Sequence, residues 1–470
     1  MTTPKSVHFL LLSCCLMFFL SACNTLFQED DYSACFGGEV INPTSPYVLF
    51  YKDAEVIDTI PLKKDNTFFI KFDSLAPGMY AFKHAPEYQY VYFDQNDSLM
   101  VRMNSKDFDE SIVFCGRGDE KNNFLMELYL KNEADKEQTF GLFDFNITEF
   151  ITSINTCYQS NQKFYASKKQ DLQWSDGFDH YAKATLNYSH YSKKELYPVI
   201  HQIRTGEVVT DKLPKDYYGF RKQIDFNNDE LSCFPPFVMY LSHMLNNVGA
   251  INYHNHLSDV DLALKTNINK LNIADSLIKN KKVKNTILNN IAFTYLLEDQ
   301  NMVNNQKFLE TYHKYSTDKS KKNEILKIGN AIQLLKVGNA LPNVNLVDSN
   351  GKMIPSNTIF KRKTVIYFWT ENASSHSIAA HKKVFEFQLK HPDYAFIAIN
   401  LDKDHSKWSE ILSKYKFDTI SEFRCANFED LKSKWAITKI HRTIVLDSDK
   451  FCGDYIFMCV STCPWNMGVS

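Results

Sequence analysis

The stretch Thr364-Val365-Ile366-Tyr367-Phe368-Trp369 runs directly into Thr370-Glu371-Asn372-Ala373-Ser374-Ser375-His376. A short unbroken run of β-branched and aromatic residues, bounded by polar ones, reads as a strand buried on both faces. A helical pattern follows over Ile378–His391, with Val384, Phe385 and Leu389 as the expected inner face. Tyr394-Ala395-Phe396-Ile397-Ala398-Ile399-Asn400 then reads as a second buried strand. Ser406–Tyr415 reads as a helix, and Thr443-Ile444-Val445-Leu446-Asp447 as a further strand. Buried strands alternating with helices predict an α/β layer, a sheet with helices on its faces.

Upstream the period changes twice. Residues 36–118 alternate apolar and polar positions in short runs: Phe36–Ile41, Tyr47–Tyr51, Glu55–Leu62, Thr67–Phe72, Met79–Phe82, Tyr88–Phe93, Ser98–Met103 and Ile112–Cys115. Turn residues such as Lys64-Asp65-Asn66, Ala76-Pro77-Gly78 and Gln95-Asn96-Asp97 separate them. Strands of this length and spacing predict an antiparallel β-sandwich. Cys35 and Cys115 flank the first and last strands, and a disulfide between them is expected if those strands are neighbours. Residues 119–336 turn helical. Leu264, Ile268 and Leu271 share one face, as do Val283, Ile287 and Ile291. No fixed-period repeat is present, so the expectation is an irregular α-helical domain rather than a solenoid. Residues 337–470 complete the chain as the α/β domain with an atypical tail.

The first 22 residues have the character of a targeting segment. Lys5 precedes the apolar run Phe9–Leu20, which is too short to span a bilayer. Leu20-Ser21-Ala22-Cys23 matches the bacterial lipobox, which implies cleavage before Cys23 and lipidation of that residue. Residues 23–35, with Glu29-Asp30-Asp31, then read as a tether. The expected location is the cell envelope, anchored to the membrane through Cys23 and facing the periplasm from the outer membrane. Over 470 residues the formal net charge is −2, so nothing marks a nucleic-acid partner. An apolar content of 44% is ample for several folded cores. The chain has 11 cysteines. Beyond the leader and Cys23 these are Cys35, Cys115, Cys157, Cys233, Cys425, Cys452, Cys459 and Cys463. Export permits disulfides among them.

The C-terminal region resembles the TlpA-like branch of the thioredoxin superfamily, the envelope-anchored thiol–disulfide oxidoreductases. The resemblance is carried by Val337-Gly338 to Pro342, Gly351-Lys352, Val365–Trp369, Ala398-Ile399-Asn400 and Ile444–Asp447. It implies a thioredoxin-like fold and a Cys-x-x-Cys active site after the first strand. No two cysteines of this chain have that spacing. Laid on the family pattern, Ala373 stands where the nucleophilic cysteine belongs and His376 where the resolving cysteine belongs. His441 takes the place of the family's cis-proline. Exchange needs an attacking thiolate and a resolving thiol, and a methyl and an imidazole supply neither.

The expectation is therefore a redox-inactive domain in a binding or scaffold protein, with no catalytic residue, metal or cofactor. A protein or peptide would lie in the thioredoxin-like groove near Trp369 and Ile440. A thiol–disulfide oxidoreductase using Cys425, or Cys459 with Cys463, is the alternative. In the family fold His376 and His441 would face each other, and with Glu371 or His381 they could hold a metal or act as a base. After Lys450 the residues cease to resemble the family, as a frameshifted or truncated reading frame would produce. Metabolic labelling with a radiolabelled fatty acid should mark the protein when expressed in a bacterium. Cys23→Ser should abolish the label, and retention of label by that variant would exclude the lipobox reading.

Overall fold

The computed structural model describes residues 32–452 except 54, 86, 106–107, 251–258, 299–301, 336–337, 371–373, 403–404, 416–419, 438–441 and 450. Cys23, Ala373 and His441 lie outside the described residues, as do Cys459 and Cys463. The chain divides into two compact units. One comprises Met1–Lys136 with Lys163–Ala182, the other Glu137–Gln162 with Lys183–Ser470. This division differs from sequence boundaries at 118/119 and 336/337, because helical segments belong to the first unit and the α/β region shares the second.

The first unit holds eight strands: β1 Ala34–Ile41, β2 Tyr47–Lys52, β3 Glu55–Pro61, β4 Thr67–Phe72, β5 Gly78–His84, β6 Glu87–Phe93, β7 Ser98–Asn104 and β8 Val113–Arg117. They form two four-stranded sheets, ordered β4-β1-β7-β8 and β3-β2-β5-β6. The second sheet is antiparallel throughout. The first is mixed, since β1 pairs parallel with β7, which corrects the all-antiparallel expectation. Parallel neighbours need a long crossover, and the intervening strands provide it here. Both sheets contribute to one core, with Phe36, Phe68 and Val101 from one and Phe50, Phe82 and Phe93 from the other. The Phe36 ring centroid lies 5.3 Å from those of Phe50 and Phe82.

Cys35 and Cys115 do not form the expected bridge; both are free thiols. Cys35 is in register with Ser98 of β7, and Cys115 with Met100 on the other side of β7. Two strand spacings, roughly 9.5 Å, separate β1 from β8. A disulfide needs Cα atoms about 5.5–6 Å apart.

Helical residues close the unit. Lys121 Nζ lies 2.6 Å from Asp94 Oδ2 and 2.9 Å from Asp97 Oδ2. Ser175 Oγ donates to Asp94 at 2.9 Å, and the Tyr92 and Phe178 rings meet at 5.3 Å. These contacts explain why residues 163–182 belong with the strands.

The helices are α1 Phe108–Ser111, α2 Asp119–Leu142, α3 Ile147–Leu172, α4 Asp176–Thr205, α5 Pro235–Ala250, α6 Asp259–Leu277, α7 Lys281–Glu298, α8 Met302–Tyr315 and α9 Lys319–Leu334. The apolar faces read from sequence on α6 and α7 are largely buried: Leu264, Leu271, Val283, Ile287 and Ile291 are in the core. Glu195 of α4 is fully buried, and Arg221 Nε meets it at 2.8 Å while Asn247 Nδ2 meets it at 2.7 Å. Among the described residues no helix is long and apolar enough to cross a membrane.

The α/β region adds β9 Asn345–Val347, β10 Met353–Pro355, β11 Thr364–Trp369, α10 Ser374–Lys390, β12 Ala395–Asn400, α11 His405–Tyr415, β13 Ser421–Cys425, α12 Phe428–Trp435 and β14 Thr443–Leu446. Its sheet runs β10-β9-β13-β12-β11-β14, with β11, β12 and β13 parallel and the other pairings antiparallel. Every residue of β11 is buried. The phase of α10 differs from the sequence expectation. Val384 faces inward beside Ala380 and His381, but Phe385 is 52% exposed and Leu389 73%. Inward positions at 377, 380, 381 and 384 turn 378, 385 and 389 onto an exposed flank of the helix.

Gly38 sits where β1 meets β7, and a Cβ there would lie 1.9 Å from the Val101 carbonyl oxygen. Gly38→Ala must therefore push two strands apart. It should cost at least about 1–3 kcal/mol of overpacking strain, read as a lower denaturation midpoint; an unchanged midpoint would contradict the β1–β7 pairing.

Candidate functional site

The carboxyl ends of β11, β12 and β13 form the candidate site, the place where open α/β sheets usually present their functional groups. In-register residues form rows across the sheet. Tyr367, Ala398 and Glu422 make one row, and Trp369, Asn400 and Arg424 the next on the same face. Ala398 is the small member of its row. Its methyl leaves space between Tyr367 and Glu422, over which α10 lays His381.

His381 and Glu422 are both buried, with side chains 3% and 8% exposed. His381 Nδ1 is 2.7 Å from the Ser377 carbonyl oxygen one helical turn back. Its Nε2 is 2.9 Å from Glu422 Oε1. The other carboxyl oxygen accepts the indole N–H of Trp369 at 3.1 Å. Rings of Tyr367 and Trp369 stand edge-on to the imidazole, 5.3 and 5.4 Å away. The Tyr367 hydroxyl is buried with no hydrogen-bond partner among the described residues. Burial first, and the Glu422 carboxylate second, hold its pKa well above the ordinary phenol value.

A second polar knot closes the strand ends. Thr370 Oγ1 donates to Asp402 Oδ1. Asn400 Nδ2 donates to Asp402 Oδ2 at 2.7 Å, and the Asp402 N–H returns a bond to Asn400 Oδ1 at 3.0 Å. The Leu401 N–H donates to the Trp369 carbonyl at 2.9 Å, continuing the β11–β12 ladder past its last pair. On the opposite face the Trp435 indole N–H donates to the Pro342 carbonyl at 2.7 Å, which ties the lead-in segment to α12.

Of the residues singled out in sequence, His376 falls in the first turn of α10, and its side chain is outside the described residues. His381 is not free to serve as a ligand, since both ring nitrogens already face protein partners. No group of three or more His, Cys, Asp or Glu residues suited to a metal occurs among the described residues. Trp369 does not line a groove; it is fully buried. Glu422 escaped the sequence reading because its strand, Ser421-Glu422-Phe423-Arg424-Cys425, lacks an apolar run. The remaining described thiols of this region are Cys425 and Cys452. Burial pushes each up to about 11. Cys425 lies on β13 and Cys452 beside β14, with β12 and β11 between those strands. Three strand spacings, roughly 14 Å, separate β13 from β14, and Cys452 lies beyond β14.

The thioredoxin-like family model matches residues 361–451. A comparison with curated proteins gave no match. Among solved structures, a Bacteroides vulgatus protein described as a candidate thiol-disulfide oxidoreductase is 20% identical, over 28% of this chain and 92% of its own, with a TM-score of 0.24. The thioredoxin domain of a thiol-disulfide oxidoreductase from the same organism is 13% identical, over 25% of this chain and 85% of its own, with a TM-score of 0.22. A thiol:disulfide interchange protein from Bacteroides sp. is also 13% identical, over 25% of this chain and 78% of its own, with a TM-score of 0.22. Residues 361–451 form a thioredoxin-like domain within a longer chain.

Proposed function

We propose that this thioredoxin-like domain recognises a polypeptide without exchanging thiols, and that the protein is an envelope lipoprotein of binding or scaffold character. One observation carries the reading: a thioredoxin-like domain lies in a chain that has no Cys-x-x-Cys. Laid on the resembled family's pattern, Ala373 and His376 would stand at the positions of its cysteine pair. Cys425 and Cys452 offer no substitute, because burial keeps both as thiols and the sheet holds them apart. A thiol attacks only as its thiolate and needs a partner within reach to resolve the mixed disulfide.

The anchored location rests on the lipobox at Leu20–Cys23. A polypeptide partner rests on the kept scaffold alone, since an extended chain can be held by backbone and side-chain contacts where no sulfur reacts.

The full chain should not accelerate insulin reduction by dithiothreitol above the buffer rate. Acceleration lost on removal of Cys459 and Cys463 would instead favour the oxidoreductase reading. Under native conditions Cys425 and Cys452 should stay unmodified by Ellman's reagent while exposed Cys115 reacts, and all three should react in denaturant. Prompt modification of Cys425 in the folded protein would contradict the inert-thiol reading.

A further inference from the structure

We propose that the outer face of the β4-β1-β7-β8 sheet rests on the lipid bilayer that anchors the chain, with phospholipid headgroups as its partner. The proposal rests on the lipobox reading of Leu20–Cys23. In this sheet Phe36, Phe68, Val101 and Phe114 turn to the shared core, so the residues beside them in sequence turn outward. The middle outward row is Phe69, Gly37, Met100 and Cys115. A Cβ on Gly37 would lie 2.9 Å from Met100 Sδ and 3.0 Å from Phe69 Cδ2. The thioether and the ring therefore close over the glycine as one apolar surface. On one side of it runs the row Lys71, Cys35, Ser98 and Arg117, and on the other Thr67, Glu39, Arg102 and Val113. Phe69 is 48% exposed and Val113 56%. Apolar groups exposed together and rimmed by charge mark a surface that meets a partner.

Charge selects the partner. Arg102 Nε stands 3.4 Å from Glu39 Oε2, and that pair cancels. Lys71 and Arg117 are both exposed, at the end of the face where β1 begins. Three cations less one anion leave the three rows with a net charge of +2. A second copy of the same face would set like charge against like. Lipid phosphates are complementary, and an aromatic ring and a thioether suit the boundary between headgroups and acyl chains.

The length of chain ahead of the sheet points the same way. Eleven residue steps separate Cys23 from Ala34, where β1 starts. Fully extended they reach at most about 40 Å, and as a flexible linker they average roughly 17–20 Å. They enter the sheet beside Cys35, in the row that holds Lys71 and Arg117. A lipid on Cys23 therefore keeps this row close to headgroups, at an effective concentration in the millimolar range. At that concentration a weak surface affinity is enough to hold the face down. The tether's own Glu29-Asp30-Asp31 competes for the two cations, so the apolar row decides the matter and is the part to probe.

The chain, purified with its lipid and added from detergent to preformed vesicles of phosphatidylethanolamine and phosphatidylglycerol, should float with them and stand on their outer leaflet. Modification of Cys115 by a bulky charged maleimide, followed peptide by peptide in a mass spectrometer, then reads the face. On these vesicles the rate should be roughly tenfold lower than for a chain carrying Phe69→Ser and Lys71→Glu. Equal rates, with both chains floating, would overturn the proposal alone. A chain that carries no lipid and does not float would overturn the lipobox reading and the proposal together. Protection of Cys115 without vesicles, growing with protein concentration, would assign the face to a second copy and also defeat the proposal. Phe69→Trp gives a second reading that keeps the surface aromatic. Lipids brominated near the headgroup should quench the added indole, and emission unchanged by bromine would contradict the contact.

Discussion

Burial of β11 on both faces constrains the whole α/β region. A strand covered on each side must be flanked by other strands and roofed by helices, and its polar backbone must be paired along both edges. β12 satisfies one edge in parallel register and β14 the other in antiparallel register. Helix α10 covers one face through Ala380 and Val384, and Trp435 of α12 packs under Phe368 on the other. The side-chain rows at the strand ends follow from that register. Changing it by one residue would turn Tyr367 and Trp369 to the opposite face and dissolve the site.

The same constraint holds in a thioredoxin-like domain whose chain has no Cys-x-x-Cys. The polar interior is supplied by other groups: His381 with Glu422 and Trp369, and Asp402 with Thr370 and Asn400. Each is a satisfied set of donors and acceptors in a place where an unsatisfied one would cost roughly 1–3 kcal/mol. Buried networks of this kind fix a particular arrangement of helix on sheet, and they do so whether or not chemistry occurs nearby.

Much of the architecture was legible in the residues. The strand runs in the first unit lie close to where the alternation placed them, and turn signals were physically sound: Asn66 and Asn96 both adopt positive φ, at 62° and 59°. Alternation identifies which face is buried but not which strand is the neighbour. The parallel β1–β7 pair, and with it the separation of Cys35 from Cys115, could not be read from it. Strand β13 was missed because its face carries Glu422 and Arg424, and a strand whose side chains serve a polar interior loses the apolar signature. The phase of α10 was missed for a related reason. His381 points inward while Phe385 and Leu389 point out, the reverse of what hydrophobicity alone selects.

Equilibration of the full chain in glutathione buffers of graded redox poise, with every thiol counted by mass spectrometry after quenching, tests the central claim most directly. A thioredoxin-like domain that has kept its fold without its exchange chemistry should lose no pair of thiols together at any poise. Cooperative loss of two thiols to one intramolecular disulfide, reversible as the buffer is made reducing, would contradict it.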